Sequence, residues 1–268
     1  MQTHPNCYPT DLRDPEWDYV KSLVPAPKSG KGKRGRPLQL PRRTLVNAIF
    51  YVVRSGCAWR LLPRDFGPWQ TVYGYYRCWS QDWTWSFMHD SLRDWLRKME
   101  KGKVAPTAAI VDSQSVRTAD QAGERGYDAG KKIKGRKRHI AVDTLGLLLA
   151  IQITCASTPD RAAAKSLIQL LVAMFGRLQI IWADGGYLGA LVQWVKQLRP
   201  FGKLRLEIVG RTSRGFKVLP KRWIVERTFG WFYKSRRLCR DYEIRLDHSE
   251  AMIRICMIRV MVRRLAHL

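Results

Sequence analysis

The chain has 268 residues, 46% of them hydrophobic and 11% aromatic, which is enough apolar surface for a full core and excludes a disordered chain. Its 48 lysines and arginines against 22 acids leave a net charge of +26, a self-repulsion that a polyanion would relieve. Nucleic acid fits that charge better than a membrane does, because no apolar run approaches the roughly 18 residues of a spanning helix.

Six cysteines without a C-x-x-C pair and five scattered histidines exclude the usual zinc-ligand spacings. They read as reduced, mostly buried thiols. With no signal-peptide pattern, the expected location is a cytosol.

In chain order, residues 10–24 read as a short helix, with Asp14 as cap and Pro15 at the first helical position. The run of glycine, lysine and arginine over residues 28–37 then reads as a flexible basic linker that could track phosphates. Apolar spacing predicts further helices over residues 41–55, 69–80 and 84–99, with Gly56 as a stop. Two helices joined by a bend in a basic protein suggest a DNA reader, with residues 70–77 entering a groove. Trp59, Trp69, Trp79, Trp83, Trp85 and Trp95 read as core.

After residues 102–107 the pattern changes to short apolar runs alternating with helical ones. Strands are predicted over residues 108–112, 138–144 and 147–154, the last two a hairpin turning at Gly146. A helix over 159–175, a strand over 179–183, a helix over 188–198 and a strand over 204–209 follow. The helix carrying Glu226 and a last helix over 248–266 complete the chain. The division that follows is an all-helical domain over residues 1–103 and an α/β domain over 104–268.

Three carboxylates stand out. Asp112 and Asp184 each end an apolar run, and acids at strand ends are where ligands meet open α/β sheets. Glu226 is the one acid among ten cations between residues 211 and 240, which favours its ionised form. Turn capping and a surface ion pair would also explain these acids singly. A phosphate-binding protein, however, has an electrostatic reason to exclude carboxylates from its binding face, unless they hold a metal. Hard Mg²⁺ takes oxygen ligands, and two ions roughly 4 Å apart serve phosphodiester chemistry. Lys131, Lys132, Lys134, Arg136, Lys137 and Arg138 lead into the second strand beside these acids and read as phosphate contacts.

The element order, with Asp112 on the first strand, Asp184 after the fourth and Glu226 on the helix after the fifth, resembles the ribonuclease-H-like core of DDE transposases. The segments 111–116, 135–146, 183–187 and 222–231 resemble the insertion-sequence-five family of bacterial transposases, and so do residues 14–17 and 56–63 near the start. The resemblance implies a helical DNA-binding domain ahead of a mixed sheet flanked by helices. It also implies Asp112, Asp184 and Glu226 as catalytic metal ligands and two Mg²⁺ ions replaceable by Mn²⁺. The implied partners are double-stranded DNA and, when element ends are paired, a second copy of the chain in a bacterial cytoplasm, at the nucleoid. Related transposases carry a Tyr, Arg, Glu, Lys signature around the third acid. Arg222 and Glu226 match it, Leu219 replaces the tyrosine, and Lys234 stands one residue past the lysine position. Arg222 and Lys234 therefore join the expected DNA contacts. Two other readings stay open: a DNA-binding regulator without catalysis, and a nuclease of the same core that does not join strands.

Overall fold

The computed structural model describes residues 8–26, 40–120, 123–199, 202–210 and 221–268. The expected basic linker over 28–37 and Leu219 lie outside these. Contacts group the chain into two compact units, one from residues up to Leu96 with Lys234–Leu238 and Ala251–Leu268, the other from Arg97–Tyr233 with Cys239–Glu250.

In the first unit, α1 spans Asp14–Val20 and is shorter than the apolar spacing implies. Its cap is Arg13 rather than Asp14, and the Arg13 amide donates to Glu16 at 2.8 Å. The helix α2, Arg42–Ser55, ends at Gly56 with φ of 74°, the left-handed closure that favours glycine. A Cβ there would also meet the Arg236 Cβ at 2.9 Å. After two short 3₁₀ turns come α3, Trp69–Gln81, and α4, Thr84–Lys101. Trp79 and Trp85 are buried and meet edge to face, their centroids 5.3 Å apart. Trp83 and Trp95 are exposed and leave the expected tryptophan core. Trp83 occupies the bend itself, with φ of 64°, where the chain leaves helical geometry and the ring turns outward.

The second unit carries a six-stranded sheet: β1 Ala108–Arg117, β2 Gly126–Asp128, β3 Ile133–Val142, β4 Leu148–Cys155, β5 Ile180–Ala183 and β6 Arg205–Ile208. β3 is antiparallel to β1 on one side and to β2 and β4 on the other. β5 is parallel to β1, and β6 to β5. This mixed order is the ribonuclease-H-like arrangement that the sequence implied, with β2 as an addition too short for periodicity to show. Helices α5, Asp160–Met174, and α6, Ala190–Gln197, pack on one face of the sheet, and α7, Arg222–Tyr233, packs against β1 and β3.

Strand alternation settles which face receives the acids. On β1, Ala109 and Val111 join Leu167 and Leu171 of α5 and Leu191 and Val195 of α6 in one core, and on β5 Ile181 and Ala183 do the same. Ile110 and Asp112 therefore point to the other face, as do Trp182 and Asp184 in the neighbouring strand.

The last helix, α8, spans Leu246–Leu265. The division at 103/104 keeps it whole with the α/β half, whereas contacts group its residues from Ala251 onward with the first unit. Met252, Ile253, Ile255, Met257 and Ile258 are all buried, so apolar surface runs round the helix and needs neighbours on every side. Of the cysteines described, Cys256 is buried, Cys57, Cys78 and Cys155 are half-buried and Cys239 is exposed, so burial is less general than expected. Among the described residues no helix is long and apolar enough to cross a membrane.

Candidate active site

Two parallel strands bring the first two acids together. Ile110 of β1 pairs with Trp182 of β5 at the end of their ladder, and Asp112 and Asp184 each follow two residues on. Both acids line a narrow cleft with Ile110, Trp182, Val209 and Arg222. Asp112 accepts one backbone hydrogen bond, from the Ser113 amide at 2.7 Å. Burial pushes its pKa up to about 6; the Ser113 bond opposes this, the Asp184 charge adds to it, and Arg222 and Lys131 pull against it.

Asp184 divides its oxygens between two tasks. One accepts from the Gly186 amide at 2.9 Å and caps the 3₁₀ turn Gly185–Tyr187, so the capping role is real. The other lies 3.6 Å from an Arg222 Nη2. The Arg222 Nε is 3.4 Å from Glu226 Oε1, an ion pair without hydrogen-bond geometry. Arg222 thus stands between the second and third acids, and Glu226 is exposed.

The helix that carries Arg222 and Glu226 is held from behind. The Thr228 hydroxyl donates to the Gly146 carbonyl and Arg227 donates to that of Leu145, both at 2.9 Å, which ties α7 to the β3–β4 turn. Gly146 has φ of 79°, and a Cβ there would press on the Thr228 hydroxyl at 3.0 Å, so the turn needs glycine twice over. The Arg227 guanidinium lies over the rings of Trp223 and Trp231, at 4.5 and 5.0 Å. Sequence reasoning passed over Arg227 and Thr228. Only the contrast of a buried hydroxyl with an otherwise apolar helix face marks them.

The basic run splits into distinct fates. Lys131 is exposed beside Asp112 and reaches the Ser113 carbonyl at 3.4 Å. Lys132 and Lys134 are exposed. Lys137 is buried, donates to the Thr158 carbonyl and pairs with Asp160 at 3.2 Å and Asp128 at 3.6 Å. Arg138 is buried beside Gln114, and Arg136 is enclosed with Asp241. All three are buried, unlike Lys132 and Lys134, and Arg136 and Lys137 are matched by acids inside the protein. Lys234 falls with the first unit, where its carbonyl accepts from Arg54.

As for metal, Asp112 and Asp184 offer hard oxygen donors whose mutual repulsion a divalent cation would relieve, so the pair fits Mg²⁺. Glu226 stands apart: among the described residues no three His, Cys, Asp or Glu side chains gather closely enough to hold an ion.

Comparison with known proteins decides the family. The family described as "Transposase DDE domain" matches residues 104–261, more than half of the chain. The chain belongs to the DDE transposases. A second family, described as "Putative transposase of IS4/5 family", matches residues 12–89, in agreement with the resemblance seen in the sequence. A Burkholderia cepacia protein named as a putative transposase for insertion sequence element IS402 is 31% identical over 128 residues, 45% of this chain and 60% of that relative. An uncharacterized 16.2 kDa protein of the same insertion element is 30% identical over 112 residues, 40% of this chain and 72% of its own length. A Sinorhizobium fredii protein of uncharacterized function is 35% identical over 68 residues, a quarter of this DDE transposase and 51% of the relative.

Proposed function

We propose that this chain binds the terminal inverted repeats of its own insertion sequence, cuts a phosphodiester at each end and joins the freed ends to target DNA. The observation that carries this reading is the pair Asp112 and Asp184 in one cleft, two residues past the last paired residues of parallel strands, with the proton affinity of Asp112 raised by burial and by its neighbour's charge. Asp112 and Asp184 would hold Mg²⁺ or Mn²⁺, with Glu226 completing the site once its pairing with Arg222 is released. A metal held there would supply Lewis-acid activation of the attacking oxygen and stabilisation of the leaving one.

The chain's own residues do the rest. In the first step water attacks phosphorus, the P–O3′ bond breaks, and a 3′-hydroxyl is left. In the second that hydroxyl attacks a target phosphate and displaces the target's 3′-oxygen, which takes up a proton. Arg222, Lys131, Lys132 and Lys134 lie on the unit that bears the acids and would neutralise the DNA backbone, with Lys234 as a contact from the first unit. The helical residues 1–103 would supply end recognition. Paired ends imply two protomers, working at the bacterial nucleoid.

One observation favours a second reading. Arg222 already neutralises Asp184 and Glu226, as it would in a chain that binds DNA without cutting it. The deciding experiment compares the protein with its Asp184→Ala variant on DNA carrying the gene's own flanking ends, in Mg²⁺ or Mn²⁺. Cutting and joining by the unmodified chain alone is expected. Binding by both, with cutting by neither in either metal, would sink the catalytic reading in favour of the regulator, and cutting without joined products would reduce it to a nuclease.

A further inference from the structure

At the Arg117 end of β1, five cations surround one groove of about 350 Å³: Arg117, Arg125, Lys132, Lys134 and Arg240. Among the described residues the one acid lining it is Asp120. Among the described residues no carboxylate pairs with Arg117, Lys132, Lys134 or Arg240, and Arg125 spends its guanidinium on the neutral carbonyls of Ala119 and Asp120. The neighbouring cations of the same run are treated oppositely. Arg136 and Lys137 are buried and matched by Asp241, Asp128 and Asp160. The fold therefore neutralises the cations it encloses and leaves those of the groove facing one another, a repulsion that a bound polyanion relieves.

Three further features point to a nucleic-acid strand. Tyr127, 55% exposed, is the cross-strand partner of Lys134 and sets a flat ring among the charges, the pairing of aromatic platform and cations that strand-binding surfaces use. Lys132 holds a left-handed backbone, φ of 52°, which is unfavourable for a lysine and fixes where its side chain leaves the turn between β2 and β3. The third is position. The backbone of Arg117 lies five residues along β1 from Asp112, roughly 17 Å at about 3.3 Å per residue and the length of about five nucleotides of duplex, although alternation sends its side chain to the opposite face at the strand's end. Register also places Lys134 and Tyr127 on the sheet face that bears Asp112.

We propose that this groove is a second DNA subsite, holding backbone phosphates about five nucleotides from the phosphate that reacts at Asp112 and Asp184. The spacing rests on the reading of those two acids as the cutting site; the groove's affinity for DNA does not.

The test uses the full chain and a double variant, Lys132→Glu with Arg240→Glu, both exposed positions, with unchanged thermal unfolding confirming the fold. Affinity is measured on duplexes carrying the element's end, extended one base pair at a time on either side of the cut. The unmodified chain is expected to gain about tenfold or more once one side passes about five base pairs, and the variant to lack that step. The slope of log affinity against log salt should fall by about two in the variant, one per lost phosphate contact. A variant that keeps both step and slope overturns the proposal, and so does an unmodified chain with no step on either side. A step in a chain that never cuts in Mg²⁺ or Mn²⁺ supports the subsite while sinking the catalytic reading.

Discussion

Two aspartates of neighbouring strands stand in contrasting surroundings, Asp112 in the middle of β1 and Asp143 just past the end of β3. Asp143, just past β3, is fully buried, receives the amides of Leu145 and Leu147 at 2.9 and 2.8 Å, and pairs with the buried Arg97. Asp112, on β1, receives one amide and faces a second carboxylate. The oxygens of Asp143 are used up inside the protein, and those of Asp112 are left with lone pairs and an unfavourable charge. Burial pushes both carboxyls up, but at Asp143 an arginine and two amides oppose it, whereas at Asp112 a second carboxylate adds to it.

Substitution of the two should separate these uses. The largest effect expected is on strand cutting: Asp112→Ala or Asp184→Ala should reduce it by about a thousandfold or more while end binding holds within about threefold, read by nicking and gel-shift assays. An Asp112→Ala protein that still cuts would remove the residue from the site. Asp143→Ala should instead lower stability by about 3–5 kcal/mol in urea unfolding, because Arg97 is left buried without its partner.

The reverse sign is expected for Asp112→Asn. A carboxyl whose pKa rises from 3.8 to about 6 on folding costs about 2–3 kcal/mol when ionised in both states. That cost is complete above pH 6, shrinks as pH falls from 6 to 4, and is absent below both values. Metal-free Asp112→Asn should therefore be the more stable protein at pH 7 and gain nothing at pH 3.5. A gain that persisted at acid pH would show that packing, not charge, is responsible. The smallest effect belongs to Glu226→Gln: an exposed ion pair one turn apart contributes roughly 0.5 kcal/mol or less, so unfolding should scarcely move, even though cutting should be lost if Glu226 completes the site.

Much of this contrast can be traced in the chain itself, and some of it cannot. Apolar periodicity located the strands bearing Asp112 and Asp184 because both are fed by core residues, and it located α7 because Val225, Phe229 and Phe232 must be buried on one side. It missed β2, whose three residues pair through the backbone and carry no apolar rhythm. The basic run of residues 131–138 looks uniform in sequence. Its split into exposed Lys132 and Lys134 and buried Arg136, Lys137 and Arg138 depends on acids more than 100 residues away in one case, Asp241, and on α5 in another, Asp160. Likewise the partnership of Arg240 with Arg117 across the groove has no local signature.

From the sequence alone came most of the element order, the polyanion partner class and three candidate acids, since these depend on local periodicity, total charge and residue type. Only the tertiary structure decided that Asp112 and Asp184 line one cleft, that Arg222 lies between Asp184 and Glu226, and which cations stay exposed. The reason is physical: strand register and burial bring together residues that sequence separates, and a charge's role depends on whether its neighbours in space already neutralise it.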